Sequence, residues 1–315
     1  MENKKKIVVV GTGIIGIEHI KAIEASEHFS LCALCDVNKE KVSALAEEYN
    51  VPYFTDYHEI PSSLNADAVI LNLPHFLHCE STVFFLNNGY NVLVEKPMAN
   101  SVKECDEMID AANRNNKILA VGHVQRFFNA NRKVKEIVDS GKLGKLCMFT
   151  EVRTTDYFTQ ARPKWFLSKK TAGGGIVMNY GAHALDKLCY ITGKLPDQVN
   201  ASCGNCKNEY DIEGHAQFML KYPDGLSACV TFSAYSLSDY DTVYYFTNGA
   251  LKVSDSRLLS YSTDGTWCPV DVDEDGKYME RQLDEFYNLL SGKTADIADA
   301  LYSKNIIRII EQIYQ

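Results

Sequence analysis

The chain has 315 residues, of which 46% are hydrophobic and 23% charged, enough for roughly two domains with cores of their own. With 41 acidic against 32 basic residues the net charge is −9, which argues against a broad basic face for DNA or RNA. Ten cysteines spread from Cys32 to Cys268 read as reduced thiols rather than a disulfide scaffold, and no segment reaches the roughly 18 apolar residues of a membrane span.

Three basic residues followed by the apolar stretch Ile7–Ile17 superficially mimic a secretory signal. Glycines interrupt that stretch, and Glu18 and His19 end it without a small-residue cleavage site, so a cytoplasmic protein is expected. Ile7–Val10 is a short continuous apolar run, as in a parallel strand buried on both faces. Residues 14–26 have helical character, Ser30–Asp36 reads as a strand, and Lys39–Tyr49 is amphipathic, with Val42, Leu45 and Ala46 on one stripe. The alternation continues with strand Ala68–Leu73, a helix around 76–88, strand Asn91–Glu95, helix 101–115 and strand Ile118–His123. Such repeats predict an α/β domain over residues 1–123, a doubly wound parallel sheet with right-handed crossovers.

From about residue 140 strands follow one another directly, at 146–154, 197–203, 213–222, 226–234 and 241–247. Leu226, Ala228, Val230 and Phe232 alternate with Ser227, Cys229 and Thr231, the pattern of a sheet with one apolar face. Helices are expected over 174–191, capped by Gly193, and over 297–313. Residues 124–315 are therefore expected to form a second, α+β domain with a large, mostly antiparallel open sheet.

Gly11-Thr12-Gly13-Ile14-Ile15-Gly16 follows a strand and opens a helix, and Asp36 ends the next strand 20 residues beyond Gly16. That context makes the glycine pattern a dinucleotide fingerprint: a tight turn, a close approach to a diphosphate and a closely packed helix whose N-terminus favours anions. Asp36 would accept from the adenosine ribose hydroxyls and repel a 2′-phosphate, which favours NAD, while Lys39 nearby leaves NADP open. Lys96 falls where Pro97 ends a strand, at the sheet edge where such ligands bind. Beside an oxidised nicotinamide its proton affinity would drop toward neutrality; a lysine after a strand is also commonly just solvent-exposed. Asn179 and His183 are four apart on the predicted helix and share a face, with Asp186 three residues further, and the glycines 173–175 would let a bulky ligand approach the helix start.

Taken together in this order, the fingerprint with His19, the turn Leu73-Pro74-His75-x-x-His78, Glu95-Lys96-Pro97 and the Gly-Gly-Gly…His183-x-x-Asp186 helix resemble the Gfo/Idh/MocA family over nearly the full length. The resemblance implies a Rossmann domain followed by a domain that supplies the substrate pocket and an open sheet for oligomer contacts, as a homodimer or homotetramer. It also implies Lys96 and His183 as a catalytic pair, Leu73, Pro74, His75, His78 and Glu95 near the cofactor, and a Pro97 that is often cis. The family helix commonly carries Asp where this chain has Asn179; an amide orients a ring but supplies no charge, which shifts proton handling toward Lys96. Relatives that oxidise nucleotide-linked amino sugars resemble this chain in having Asn there. Another variation is His75, where the family often has Asn.

Arg126, Arg153, Arg162 and Lys164 flank the expected pocket and could hold a carboxylate or phosphate; Trp165 could stack on a sugar, and Tyr157 is a similar candidate. Cys32 and Cys35 would point to opposite faces of a strand, Cys203 and Cys206 lack a second pair, and His75 and His78 lack a clear acidic or thiol partner, so no metal is expected. The function expected is hydride transfer between a sugar, cyclitol or related polyol derivative and NAD(P), with Lys96 and His183 taking the hydroxyl proton and Asn179 positioning the substrate. The alternatives are a non-catalytic NAD-binding sensor and an NAD-assisted glycosidase.

Overall fold

The computed structural model describes residues 4–60, 64–273 and 275–315, and of Ser236 the backbone alone. The chain forms two compact units, one running up to His123 together with Lys277–Lys304, the other Val124–Gly276 with Asn305–Gln315.

The first unit is built on strands β1 (Lys5–Val10), β2 (Phe29–Cys35), β3 (Tyr53–Phe54), β4 (Ala68–Leu71), β5 (Asn91–Glu95) and β6 (Leu119–Gly122). They lie in the order β6-β5-β4-β1-β2-β3, all neighbours parallel, and the short strand Ala298–Asp299 adds an antiparallel edge beside β6. Strand order reverses direction at β1, which lies between β2 and β4. Ile7–Val10, Ala68–Leu71 and Val92–Val94 are buried, as expected for strands covered on both faces.

Four helices alternate with the strands: α1 (Ile14–Ala25), α2 (Lys39–Tyr49), α3 (His78–Asn87) and α4 (Val102–Asn115). Asn38 and Ser101 cap α2 and α4, accepting from the N–H of Lys41 (3.1 Å) and Glu104 (3.2 Å). The sequence reading placed residues 124–315 in the second domain, whereas the helix Tyr278–Leu290 belongs to the first unit and packs on α1. Its Leu283 and Phe286 are fully buried, Phe286 stacks on Phe29 at 6.2 Å, and Tyr287 stacks on His28 at 4.1 Å. This helix was not predicted, and an aromatic contact across more than 250 residues leaves no local signal.

The second unit holds β7 (Leu146–Asp156), β8 (Gln198–Gly204), β9 (His215–Lys221), β10 (Ser227–Ser233), β11 (Tyr235–Phe246), β12 (Gly249–Ser254), β13 (Leu258–Ser262) and β14 (Cys268–Val270). The sheet order is β14-β13-β12-β11-β7-β10-β9-β8, antiparallel except where β10 runs parallel to β7. Phe149, Phe218, Leu220, Val230, Phe232 and Tyr244 fill its inner face, and the β10 alternation appears as predicted, with Ala228, Val230 and Phe232 buried. Helices α5 (Asn129–Ser140), α6 (Lys169–Ala172) and α7 (Ala182–Thr192) belong to this unit. Gly193, at φ +65°, ends α7 by donating to Cys189 O (2.8 Å).

One charged cluster is sealed beneath that face. Lys187 on α7 is 2% exposed and pairs with Glu151 on β7, itself 1% exposed, while donating to Tyr240 Oη (2.7 Å) and Thr242 Oγ1 (2.9 Å). Burial lowers the Lys187 proton affinity, but the Glu151 carboxylate together with Tyr240 and Tyr244 raises it beyond the ordinary lysine range, so the ammonium stays charged. Removing one partner strands the other charge. Lys187→Met is therefore expected to cost about 3–5 kcal/mol in urea unfolding, and Lys187→Met with Glu151→Leu to recover most of it. A single variant as stable as wild type would contradict this.

Candidate functional site

The loop after β1 is shaped by two close approaches. Gly11 sits at φ +85°, and a Cβ there would lie 2.4 Å from Asn72 O. A Cβ at Gly16 would lie 2.0 Å from Gly11 O, so only glycine lets α1 settle this tightly against the loop. Gly13 differs: a Cβ there would meet nothing within 4 Å. It stands at the N-cap position of α1 without a side-chain capping bond, where a helix leaves its first N–H groups to outside partners. Ile14 is 85% exposed and Val37, after β2, 90% exposed, so apolar surface flanks the loop.

Asp36 closes the loop from the side. Its Oδ2 accepts from Thr12 N (2.7 Å) and Thr12 Oγ1 (2.8 Å), and its Oδ1 accepts from Asn38 N (2.9 Å). Thr12 is fully buried. Asn72, which the sequence reading did not single out, lies just beyond β4. Its N–H donates to Val10 O (2.8 Å), and its side-chain amide is buried beside Gly16 with no hydrogen-bond partner among the described residues. The available signal was its place next to β1, where the strand order reverses.

Leu73, Pro74 and His75 follow at the same sheet edge, His75 buried in a short 3-10 turn. His78 is fully buried, its Nδ1 2.8 Å from Pro97 O and its Nε2 2.8 Å from Leu73 O. Burial lowers its proton affinity, and the two carbonyls partly offset that. The side chain is thus internal and ties the turn after β4 to the turn after β5. Glu95 is also internal: its Oε1 is 3.0 Å from His19 Nε2, and it lies over Gly122, where a Cβ would be 2.7 Å away. Lys96 follows it, half-buried, ahead of a cis Lys96–Pro97 bond. Gly11–Gly16, Asp36, Leu73–His75 and Lys96 all lie at the carboxyl ends of parallel strands in one sheet, the edge at which open α/β sheets bind ligands.

In the second unit, the expected helix over 174–191 opens as a π-turn, Val177–Gly181, that runs into α7. Asn179 lies in that turn, and His183, partly exposed, lies one turn on in α7. Widened turns of this kind concentrate at functional sites. Asn179 Nδ2 donates to Tyr157 Oη (3.3 Å); Tyr157 is fully buried, and burial pushes its hydroxyl up to about 12, so it stays protonated. Arg162 stacks on the Tyr157 ring at 3.7 Å and donates from Nε to Tyr157 O (2.6 Å).

Arg126 is buried and paired with Asp186, which the structure places inside the unit. Arg153 is half-buried between Tyr180 (3.7 Å) and Tyr240 (4.6 Å). Lys164 is exposed, and Trp165 stacks on Phe166 at 3.7 Å. The second unit thus brings Asn179, Tyr157 and Arg162 together.

The fold and the loop define a two-unit protein with a dinucleotide-binding domain. Residues 5–123 match the sequence model described as "Oxidoreductase family, NAD-binding Rossmann fold", and residues 131–252 match the "GFO/IDH/MocA C-terminal domain". The chain belongs to the Gfo/Idh/MocA family.

It is 28% identical over 250 residues to 2,7-anhydro-N-acetylneuraminate hydratase of Mediterraneibacter gnavus, a match covering 78% of this chain and 66% of that protein. It is 26% identical over 352 residues to D-glucoside 3-dehydrogenase of Escherichia coli, covering 98% and 94%. Among solved structures, aldose-aldose oxidoreductase of Caulobacter crescentus, complexed with glycerol, superposes with a TM-score of 0.90 at 25% identity, covering 99% and 97%. Among the described residues no helix is long and apolar enough to cross a membrane.

The open space at Gly13 separates ligand contact from packing. Gly13→Ala adds a methyl that touches no protein atom, so the melting temperature should stay within about 2 °C while dinucleotide affinity falls roughly tenfold or more. Calorimetric titration with NAD and NADP checks this; unchanged affinity would place the diphosphate elsewhere.

Proposed function

We propose that the protein is an NAD(P)-dependent dehydrogenase acting on a CH–OH group of a sugar, cyclitol or related polyol derivative. The observation that carries this reading is the strand-end cluster of the first unit: a glycine loop open at Gly13, Asp36 beside it, and a lysine at the end of the next-but-one strand on the same edge. The dehydrogenase and aldose oxidoreductase relatives, aligned over nearly the whole chain, support the substrate class.

The open loop and the start of α1 suit a diphosphate, so the residues fit a nicotinamide dinucleotide. When bound, that cofactor supplies hydride acceptance. The N–H groups around Gly13 would hold the diphosphate, and Asp36, already oriented by Thr12 and Asn38, would meet the adenosine ribose. A fixed carboxylate there favours NAD over NADP. Leu73, Pro74 and His75 would border the nicotinamide side, while His78 and Glu95 hold that edge from within. Lys96 would take up the proton of the substrate hydroxyl. For the second unit the reading gives His183 a proton-handling role, while Asn179, held by Tyr157, would orient the substrate by hydrogen bonding without adding charge. A cytoplasmic setting, in which all ten thiols stay reduced, belongs to the same reading.

The hydratase relative favours a second reading, a reaction whose net outcome is not oxidation, in which hydride is taken and returned within one turnover. Product formation without NADH accumulation would identify it.

A screen of polyols, inositols, glycosides and nucleotide sugars with NAD and NADP, followed by NADH absorbance, tests the main reading. Lys96→Met is expected to lower kcat/KM by about a hundredfold while dinucleotide affinity stays within about twofold. Unaltered turnover on an accepted substrate would remove Lys96 from the mechanism.

We further assign the outward face of the second sheet, with Met148, Val152, Met219 and Tyr245 between 37% and 50% exposed, to a contact between copies in a homodimer or homotetramer. Val152→Lys should shift the mass measured by light scattering toward the monomer; a wild-type monomer would refute the assignment.

A further inference from the structure

The three glycines before Ile176 are where the sequence reading expected a ligand to approach the backbone. The structure fills that space with the chain itself. A Cβ at Gly174 would lie 2.0 Å from Tyr314 Oη, and one at Gly175 would lie 2.1 Å from Glu213 O.

What those two residues do there follows from helix geometry. A helix opens with four N–H groups that no carbonyl of its own can reach. Here the first internal bond is Asn179 N to Gly175 O (3.1 Å), which leaves the N–H groups of residues 175–178. Gly175 N donates to Glu213 Oε2 (2.8 Å), Ile176 N to Glu213 O (3.3 Å) and Val177 N to Glu213 Oε1 (2.8 Å). Met178 N donates to Tyr314 Oη (3.1 Å), and that hydroxyl donates to Glu213 Oε1 (2.8 Å).

One carboxylate, one carbonyl and one phenol therefore take all four groups. Ile176, which precedes the π-turn, offers no side-chain cap of its own. The carboxylate also places negative charge at the positive end of the helix dipole.

We propose that Glu213 and Tyr314 are positioning residues for Asn179 and His183. The proposal rests on the reading that those two side chains meet substrate. A π-turn is an uncommon backbone state, and this one carries Asn179 immediately after the Met178 N–H that Tyr314 holds. Glu213 fixes the turn at residues 175–177 and Tyr314 fixes it at 178, so the pair sets the height and rotation of the turn. Asn179 then meets the Tyr157 hydroxyl, and His183 follows along the same helix. Reacting groups tolerate little displacement: a shift of about 1 Å can cost a hundredfold in rate.

The test compares Tyr314→Phe and Glu213→Gln, made separately, with wild type. Both keep size and shape. The first removes one hydroxyl; the second removes the charge and turns a donor toward one of the helix N–H groups. Three quantities are measured: hydrogen–deuterium exchange, the NMR titration of the His183 ring, and steady-state turnover on a substrate accepted in the screen above.

Exchange over residues 174–179 should accelerate roughly tenfold or more in each variant, with rates over residues 5–95 unchanged. The His183 titration midpoint should move, and kcat should fall about tenfold or more with dinucleotide affinity within about twofold. Exchange and titration need no substrate, so they decide the positioning role even if the dehydrogenase reading fails. Unchanged exchange in both variants overturns the proposal. So does faster exchange with an unmoved His183 titration, because the pair would then be a cap and nothing more. Should Glu213→Gln fail to fold, Tyr314→Phe carries the same three measurements.

Discussion

The contact on which the dinucleotide-binding unit depends is between two backbones, at Gly16 and Gly11. A side chain at Gly16 would have to occupy the position of Gly11 O, 2.0 Å away, so α1 can reach β1 only because that side chain is missing. This single approach aims the start of α1 past Gly13, keeps Thr12 buried against Asp36, and sets Gly11 over Asn72 at the point where the strand order reverses. The other residues assigned to cofactor binding lie at or just beyond strand ends of the same sheet, apart from His78, which opens α3. The loop is the part that could most easily have taken another shape.

Most of the motif glycines serve the protein's own packing. The positions at Gly11, Gly16, Gly174 and Gly175 are each closed by another part of the chain, whereas Gly13 opens on free space. Glycine in a motif therefore carries two different messages, and sequence does not say which applies. The same holds for charged residues near the site. Glu95 and Arg126 have the chemistry of ligand contacts, yet His19 holds the first from within and Asp186 pairs with the second in the core.

The parallel strands were legible because a strand buried on both faces writes a continuous apolar run, as in Ile7–Val10, Ala68–Leu71 and Val92–Val94. The inner face of β10 was legible from strict alternation. Strand β3, two residues long, and β12 to β14 gave no such run, and the helix Tyr278–Leu290 went unseen with the unit it joins. Asn179 and His183 were singled out by spacing, but the π-turn was not foreseen, because its supports lie in Glu213 and Tyr314, 36 to 38 and 136 residues away from the N–H groups they accept. Local periodicity records which face of an element is apolar. It does not record which distant side chain completes its end.

Asp36 has a double duty that bears on any attempt to redesign coenzyme choice. The carboxylate proposed to meet the ribose is also the clip that Thr12 and Asn38 lean on, through three hydrogen bonds. On the proposed reading, swapping it for a neutral or cationic residue would alter selectivity and unfasten the glycine loop in the same stroke. Proposed recognition and observed architecture meet in one side chain, so a switch in preference would call for a second substitution that re-anchors Thr12.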